Sequence, residues 1–334
     1  HICCVKLINS IVTICTSLLV LYLILNACAS LSAFESVVWL QLLPSFDLLV
    51  CFFVLVMLIV LIAARLKRLG LLIVFFLLTA QLLLRHSNFS FPSGHRHSQK
   101  ETLKVLSLNV GQFSNDTTNV QKCVSLILKE NPDIVCLQEF GLYYKWPDTK
   151  SVAKDFAQKI DMEYHDFSPK QGNIFGTAFF SKHQILAVDT VFQLLSHTNE
   201  AKVYSIKVID DTISIANVHL QSYNLLSEKY SWSISTIEEA ISLRSRQTKL
   251  LLAHGADVIV GDFNASPGTI VHRMLCDEFL DVQFEYGNAL NPTHKVFPTR
   301  LDYIFMRDDK GLRSFHISEE PPSDHKGLVA TIHF

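Results

Sequence analysis

The chain lacks the cysteine spacing of a metal or redox site. Its eight cysteines include no Cys-x-x-Cys pair, and the C-terminal part holds only Cys123, Cys136 and Cys276. Paired spacings are typical of zinc centres and thioredoxin-like motifs, and disulfide scaffolds pair even numbers of cysteines. We therefore interpret these residues as buried free thiols and predict no disulfide scaffold.

Two nucleotide-binding signatures are also missing. No Gly-x-Gly-x-x-Gly loop occurs among the 12 glycines, which argues against a dinucleotide-binding fold. No long insert interleaves Lys and Arg with aromatic residues, as a DNA clamp would need.

Acidic residues are scarce in the first hundred positions, which carry only Glu35 and Asp47. Residues 101–334 hold 22 of the 29 Lys and Arg and 29 of the 31 Asp and Glu, a net charge of −7. A domain of that charge grips a polyanion poorly without sequence-specific contacts. Nucleic acid stays possible as a partner, because a local basic patch or a bound cation could compensate.

The N-terminal part is strongly apolar and predicts a membrane region over residues 1–85. We expect three transmembrane helices, over 7–28, 46–64 and 69–84. The third segment is short and contains Gln81, so a re-entrant or interfacial helix is the alternative. Residues 37–43 would lie on the membrane surface or extend the second span. Residues 86–102, which are rich in Ser with Pro and Gly, predict a linker.

Loop charges predict the orientation. The basic turn 65–68 joins the second and third spans, whereas the loop 29–45 has no Lys or Arg. Positive-inside logic then places the N-terminus in the cytoplasm and the C-terminal domain of an integral membrane protein on the extracytoplasmic side. Arg85, Arg96 and Lys100 argue for the opposite side. A signal peptide ending near Ala27-Cys28-Ala29-Ser30 is the competing interpretation of the first span.

Residues 103–334 alternate between strand and helix patterns. Consecutive β-pairs mixed with βα units predict an α/β fold with mixed sheets, and two similar passes predict two facing sheets covered by helices. We predict strands over 103–109, 133–138, 177–181, 184–192, 203–209, 212–218, 257–261, 301–306, 313–318 and 329–333, and helices over 120–130, 152–160, 234–254 and 270–277.

Polar residues end many of these apolar runs. Such side chains can converge on one edge of a sheet, and together they offer hard oxygen ligands, an amide and two imidazoles. That set suits metal-assisted attack on phosphorus. Asp262 and Asn264 also flank Phe263, so both should point to the same side of the strand end. The residues concerned are Asn109, Glu139, His219, Asp262, Asn264, Asp302, Asp324 and His325.

The order of these residues resembles the endonuclease/exonuclease/phosphatase superfamily. The motifs that carry the resemblance are Ser-Leu-Asn109-Val, Leu-Gln-Glu139-Phe, Val-His219-Leu, Gly-Asp262-Phe-Asn264, Arg-Leu-Asp302-Tyr-Ile and Ser-Asp324-His325. Any one of them is weak, but six in order are specific. The resemblance covers 103–334 and none of 1–100, and it implies a four-layer α/β sandwich.

The resemblance also implies a metal site for Mg2+ or Mn2+. Glu139 would be the principal ligand, and Asn109 would support the same ion through its amide oxygen. Asp324 would lie beside the metal or at a second cation site. The alternatives are a surface carboxylate at a strand end for Glu139 and a turn-forming amide for Asn109.

Catalytic roles follow from the same resemblance. Asp262 would orient or deprotonate the attacking water, and Asn264 would donate to the phosphate or to the base. His219 would donate to a phosphate oxygen. Asp302 would hold the imidazole of His325 and raise its pKa, so that a charged imidazole stabilises the phosphorus centre or protonates the leaving group.

Three nearby residues stay open. Arg246 could reach substrate or form a surface ion pair, Arg300 is expected to support Asp302 or a neighbouring carboxylate, and Thr293 is given no role.

The sequence thus predicts a membrane-tethered, divalent-metal-dependent phosphoesterase that acts on a phosphodiester or phosphomonoester by in-line water attack. A lipid head group or small phosphoester is favoured, and a nuclease is the alternative. A catalytically inactive binding module is the alternative of another class, although none of the acid or histidine positions is lost. No obligate protein partner is inferred.

Overall fold

The computed structural model describes most of residues 101–334 and two N-terminal stretches. The described residues are 2–29, 37–63, 76, 80, 101–141, 149–170, 175–193, 199–209, 211–223, 234–296, 299–307, 310–319 and 321–334.

The N-terminal part forms helix α1 (Ile2–Ala29), a 3-10 helix (Val38–Phe46) and helix α2 (Asp47–Ala63). The buried carboxylate of Asp47 joins the helices, because its Oδ1 accepts from Asn26 Nδ2 at 2.5 Å and from Tyr22 Oη at 2.7 Å.

The prediction of three transmembrane helices is not confirmed. Across the residues that the structure describes, no helix combines the length and the apolar character that a membrane crossing requires. The predicted third span, apart from positions 76 and 80, and residues 86–100 of the predicted linker 86–102 lie outside the described residues. The last linker residue, Thr102, already begins a strand.

The remainder forms two six-stranded mixed sheets. The first has the order β11-β12-β1-β2-β4-β3 and the second β5-β6-β7-β8-β10-β9. The strands are β1 (Thr102–Asn109), β2 (Ile134–Gly141), β3 (Tyr164–Lys170), β4 (Phe175–Ser181), β5 (Ile185–Gln193), β6 (Glu200–Val208), β7 (Asp211–His219), β8 (Val258–Asp262), β9 (Leu280–Asp281), β10 (Asp302–Met306), β11 (Gly311–Ile317) and β12 (Leu328–His333).

Helices cover the outer face of each sheet. They are α3 (Thr117–Glu130), α4 (Thr149–Lys159), α5 (Ile234–His254) and α6 (Ile270–Cys276), with a 3-10 segment over Gly111–Asn115. The short helix α7 (Val282–Glu285) instead packs Val282 into the core between the sheets. Helices α3 and α4 pack an apolar cluster against the first sheet, and α5 and α6 pack another against the second. A third cluster fills the space between the sheets, where Phe179 stacks on Tyr204 at 3.9 Å. The predicted α/β fold with two mixed sheets is confirmed.

Each sheet contains one parallel pair, β1 with β2 and β7 with β8. Helices α3 and α5 make these crossovers, and each parallel pair needs such a connection. Because both pairs end at the same edge of the molecule, the residues at their carboxyl ends can meet across the gap between the sheets.

Most predicted elements are present, and α5 has the predicted bounds. The strand β3 was not predicted, because Pro169 and several polar residues interrupt its pattern. It lies at the edge of its sheet, where a proline is tolerated. Cys123 and Cys136 are buried free thiols as predicted, whereas Cys276 is exposed.

Candidate active site

The second sheet supplies three buried site residues through strand register alone. His219 on β7 and Asp302 on β10 are both cross-strand partners of Asp262 on β8. Partners on adjacent strands project from the same face. All three side chains are at most 2% exposed, so two carboxylates and an imidazole lie together on one buried face of the site, the buried wall.

Gly261 allows this wall to form. Its φ is +142°, and a Cβ built there would lie 1.9 Å from the backbone oxygen of Val218. Only glycine avoids that clash, so the residue before Asp262 is fixed by the close approach of β7 and β8.

The first sheet uses a β-bulge to present Glu139. The pairing of β2 with β4 runs from Leu137 opposite Ala178 to Phe140 opposite Gly176, so two residues of β2 face one residue of β4. Glu139 has a φ of +50°, and its side chain is 26% exposed. The bulge turns this carboxylate toward the edge of the sheet, as bulges beside active sites often do.

The neighbouring residue Gln138 joins the two sheets. Its Nε2 donates to Oδ1 of Asn217 at 2.7 Å, and Nδ2 of Asn217 donates to the backbone oxygen of Ala178 at 3.0 Å. Both side chains are fully buried. These hydrogen bonds tie the bulge of the first sheet to β7, which carries His219.

The two sheets meet at Asn109, Glu139, His219 and Asp262. Nδ2 of Asn109 lies 2.9 Å from Oδ2 of Asp262 and 3.5 Å from Oε1 of Glu139. Nε2 of His219 lies 3.7 Å from Glu139 and 3.8 Å from Asp262. The structure therefore brings these four predicted residues together.

His325 pairs with Asp302 at the deep side of this edge. Its Nδ1 lies 3.0 Å from both carboxylate oxygens of Asp302, and its Nε2 lies 3.9 Å from Asp262. Burial alone would lower the pKa of His325, but the charges of Asp302 and Asp262 outweigh it and raise this pKa to about 10. Burial raises the pKa of Asp302, and the charge of His325 offsets this only in part. Such a histidine is charged at neutral pH.

Asn264 is held by the protein itself. Its backbone N–H donates to Oδ1 of Asp262 at 2.9 Å, and its Nδ2 donates to the backbone oxygen of Leu220 at 3.0 Å. The first bond fixes the Asp262 carboxylate. The second uses one of the two N–H donors of the amide that we expected to face the phosphate, and the other stays available.

Asp324 lies on the open side of the site, with its side chain 53% exposed. Nε2 of His294 lies 3.3 Å from its Oδ2, and this hydrogen bond, opposed by partial burial, lowers the pKa of Asp324 to about 2. Ser323 secures the segment, because its hydroxyl donates to the backbone oxygen of Asn109 at 2.6 Å and accepts from His325 N.

The donor set suits a hard divalent cation, since carboxylate oxygens come from Glu139, Asp262 and Asp324. Within the described residues, two groups of three side chains bring possible ligand atoms close together: Asp262 with Asp302 and His325, and His294 with Asp324 and His325. Both include His325, whose charged imidazole has no lone pair to offer a metal, so the carboxylates are the better candidates. Glu139 belongs to neither group. Oδ1 of Asn109 accepts from Gly111 N at 2.9 Å, so its amide would have to flip to ligate a metal.

Several supporting residues were not predicted. Thr293 Oγ1 accepts from the backbone N–H groups of Leu301 and Asp302 at 2.9 and 3.1 Å, which fixes the start of β10. The Thr-His pair shortly before the Asp302 motif was the available signal. His294 gave no separate signal, because its contact with Asp324 depends on the folded chain.

The positions of three arginines bear on the roles predicted for Arg246 and Arg300. Arg246 is exposed, whereas the buried Arg244 donates to the backbone oxygen of Asn264 and stacks over Tyr223 at 3.8 Å. Arg300 was expected to support Asp302 or a neighbouring carboxylate, and the second of these is what the structure shows. NH2 of Arg300 lies 2.6 Å from Oδ1 of Asp281, the neighbouring carboxylate that was the alternative.

The comparison with protein families assigns a class to this two-sheet α/β fold with acids and imidazoles at one edge. The model of the Endonuclease/Exonuclease/phosphatase family matches residues 106–325. The chain belongs to this family, whose members hydrolyse phosphoesters.

One curated relative is a DNA-(apurinic or apyrimidinic site) endonuclease of Dictyostelium discoideum. It is 26% identical over 122 residues, which is 36% of this chain and 31% of that protein. The chain therefore matches about a third of that relative's length.

Solved structures agree on the fold. The endonuclease/exonuclease/phosphatase of Beutenbergia cavernae is 15% identical with a TM-score of 0.56, over 70% of this chain and 72% of that one. The human nocturnin catalytic domain with bound sulfate is 20% identical with a TM-score of 0.51, over 71% and 98%. At these identities the likeness shows the fold alone.

Proposed function

We propose that the chain is a divalent-metal-dependent phosphoesterase in which water attacks phosphorus in line with the leaving oxygen. The observation that supports it is a single edge where the Asp302–His325 pair, Asp262, His219 and Glu139 lie side by side. Family membership supports hydrolysis, and these residues supply the groups that phosphoester hydrolysis needs.

The chain's own residues divide the chemistry. Asp262 is buried and its Oδ1 is fixed by the Asn264 N–H, so its carboxylate orients the attacking water and accepts its proton. His219 donates to a non-bridging phosphate oxygen. His325, kept charged by Asp302, stabilises the negative charge that develops at phosphorus or protonates the leaving oxygen.

Glu139 and Asp324 would hold Mg2+ or Mn2+, and Asn109 would join them once its amide flips. When bound, the cation neutralises phosphate charge and stabilises the leaving oxygen. Both carboxylates are partly exposed, so a hydrated cation could reach them.

The substrate we favour is a lipid head group or another small phosphoester. The net charge of −7 over residues 101–334 weakens attraction to a long polyanion. Nucleic acid is the second candidate, and the Dictyostelium DNA endonuclease is the observation that favours it.

The test is a substrate panel on the full chain: sphingomyelin and phosphatidylcholine vesicles, plasmid DNA carrying abasic sites, and an aryl phosphodiester, each with Mg2+ and with EDTA. We expect turnover that EDTA abolishes and that Asp262→Ala lowers about 10²-fold or more. The matched control is Asp189→Ala, which removes an exposed carboxylate of β5. Turnover that EDTA and Asp262→Ala leave unchanged would refute the proposal.

A membrane location, with the domain on the extracytoplasmic side, is a separate part of the proposal. The attachment is supported by large apolar side chains of α1 and α2 that lie 49–60% exposed, namely Ile11, Ile14, Leu18, Leu21, Ile24, Leu49, Phe52, Phe53, Leu55 and Ile59. The side is supported by the loop charges of the sequence. Exposed apolar surface of this extent is covered by lipid or protein in most chains. Carbonate extraction of membranes tests the attachment, and protection of the domain from added protease tests its side. Release by carbonate would contradict the attachment.

A further inference from the structure

We propose that His294 is a positioning residue that holds the carboxylate of Asp324 in the orientation that the active site uses. This inference rests on the proposed phosphoesterase function, because it assigns a task to a side chain that faces one of the proposed metal ligands. His294 itself touches neither the attacking water nor the reacting phosphate in this scheme.

The hydrogen bonds of the imidazole define its tautomer. The backbone N–H of Val296 donates to Nδ1 of His294 at 3.1 Å, so Nδ1 carries no proton. A neutral ring then carries its proton on Nε2, which lies 3.3 Å from Oδ2 of Asp324. His294 therefore donates to Asp324. The same tautomer argues against His294 as a metal ligand, because a ligating Nε2 would need its proton on Nδ1, where Val296 already donates.

The backbone fixes the two segments against each other. His294 and His325 form an antiparallel bridge. On one side of the bridge Lys295 N donates to the backbone oxygen of Asp324 at 2.8 Å, and on the other Lys326 N donates to that of Thr293 at 2.7 Å. The donor and the acceptor are thus held in register, and the hydrogen bond does not depend on a flexible loop.

His294 is buried and Asp324 is exposed, which suits a contact in which a fixed donor orients the acceptor. The side chain of His294 is 7% exposed, whereas that of Asp324 is 53% exposed. An exposed carboxylate has several rotamers of similar energy, and one hydrogen bond from a fixed donor selects among them. The ring of His294 also lies edge-on to that of His325, with 4.7 Å between centroids. Asp324 and His325 are therefore oriented by the same side chain.

Two substitutions separate this task from simple packing. In His294→Gln the amide nitrogen reaches roughly where Nε2 lies, so donation to Asp324 is kept and the acceptor for Val296 is lost. In His294→Asn the amide lies near Nδ1, so the Val296 contact is kept and Asp324 loses its donor. Positioning predicts that Gln rescues function and Asn does not, whereas a purely structural role predicts the reverse order.

The experiment measures turnover against Mg2+ concentration for the full chain, with Mn2+ binding by titration calorimetry as a readout that needs no turnover. We expect His294→Asn to raise the Mg2+ concentration needed for half-maximal turnover and to weaken Mn2+ binding, each about 10- to 100-fold. His294→Gln should stay within about 3-fold of the native chain in both measurements. Thermal melting confirms that both variants fold.

The outcomes are distinct. Native chain that turns over no phosphoester while binding Mn2+ would overturn the proposed function and leave the His294 order to be read from binding. Active native chain with equal behaviour of both variants, or with Gln weaker than Asn, would overturn the positioning role of His294.

Discussion

The two sheets deliver their site residues in different ways. The second sheet places His219, Asp262 and Asp302 on three adjacent strands by register, and all are nearly inaccessible to solvent. The first sheet presents Glu139 through a bulge and leaves it partly exposed. Asp324, on the loop before β12, is more exposed still.

The difference in burial indicates that the two sides of the site have different tasks. Charge–charge interactions are stronger at the buried wall, because little solvent screens them. The carboxylates of the second sheet are therefore suited to keeping His325 protonated. Glu139 and Asp324 form an open rim of the site, where ligands and water can exchange. This rim is suited to a cation that arrives from solvent. Substitutions on the two sides should therefore fail in different ways.

The largest effect is expected at the buried wall. Asp302→Asn removes the main charge that raises the pKa of His325, and burial then lowers this pKa. Native His325 loses its proton only as pH approaches about 10, whereas the variant would lose it at much lower pH. We expect turnover to fall about 10²-fold near pH 8 and less near pH 6.

The measurement is kcat against pH for both chains. Asp281→Asn is the control, since Asp281 is another buried carboxylate 3.0 Å from a histidine, His272, outside the site. It should lower stability and leave the shape of the profile unchanged. Parallel native and Asp302→Asn profiles would contradict the assignment.

At the open rim the expected effect is smaller and recoverable. Glu139→Gln keeps the shape of the side chain and removes one ligand charge, so cation affinity should fall by roughly 10-fold or more. Turnover should return toward the native level as Mg2+ is raised. A lower maximum rate with an unchanged Mg2+ dependence would place Glu139 in the chemical step instead, and the contrast between rim and wall would fail.

The smallest effect concerns the link between the sheets. Asn217→Leu leaves the buried amide of Gln138 without its best acceptor and should lower the free energy of unfolding by about 1 to 3 kcal/mol. Adding Gln138→Leu removes the stranded donor, so the double variant should be more stable than the sum of the single changes predicts. Denaturant unfolding of the four chains measures this coupling, and strict additivity would show that the two side chains act separately.

The sequence pattern predicts the convergence of the buried-wall residues more fully than the orientation of the rim residues. His219 and Asp262 follow apolar runs, and the strand ends of a parallel pair meet at one edge, so their convergence follows from the pattern. Asp302 begins β10, which runs antiparallel to β8, so it lies at the same edge. The orientation of Glu139 does not follow from the pattern, because a bulge depends on which residues of the partner strand it faces.

Long-range hydrogen bonds account for the other omissions. The value of His294 and Thr293 depends on a bridge to a segment far along the chain, and the role of Asn217 depends on a contact between sheets. Arg244 and Arg246 lie on one helix, and only the packing of α5 decides which of them is buried. Residue type and spacing carry no information about these contacts.

The absent side chain at position 261 sets a limit on how this protein can vary. With the Val218 oxygen 1.9 Å from any Cβ, even Gly261→Ala would push β8 away from β7 and carry Asp262 with it. In directed evolution toward a new phosphoester, tolerated substitutions are therefore expected at the rim. Libraries that randomise position 261 should return glycine alone among active clones, although that residue offers the substrate no functional group.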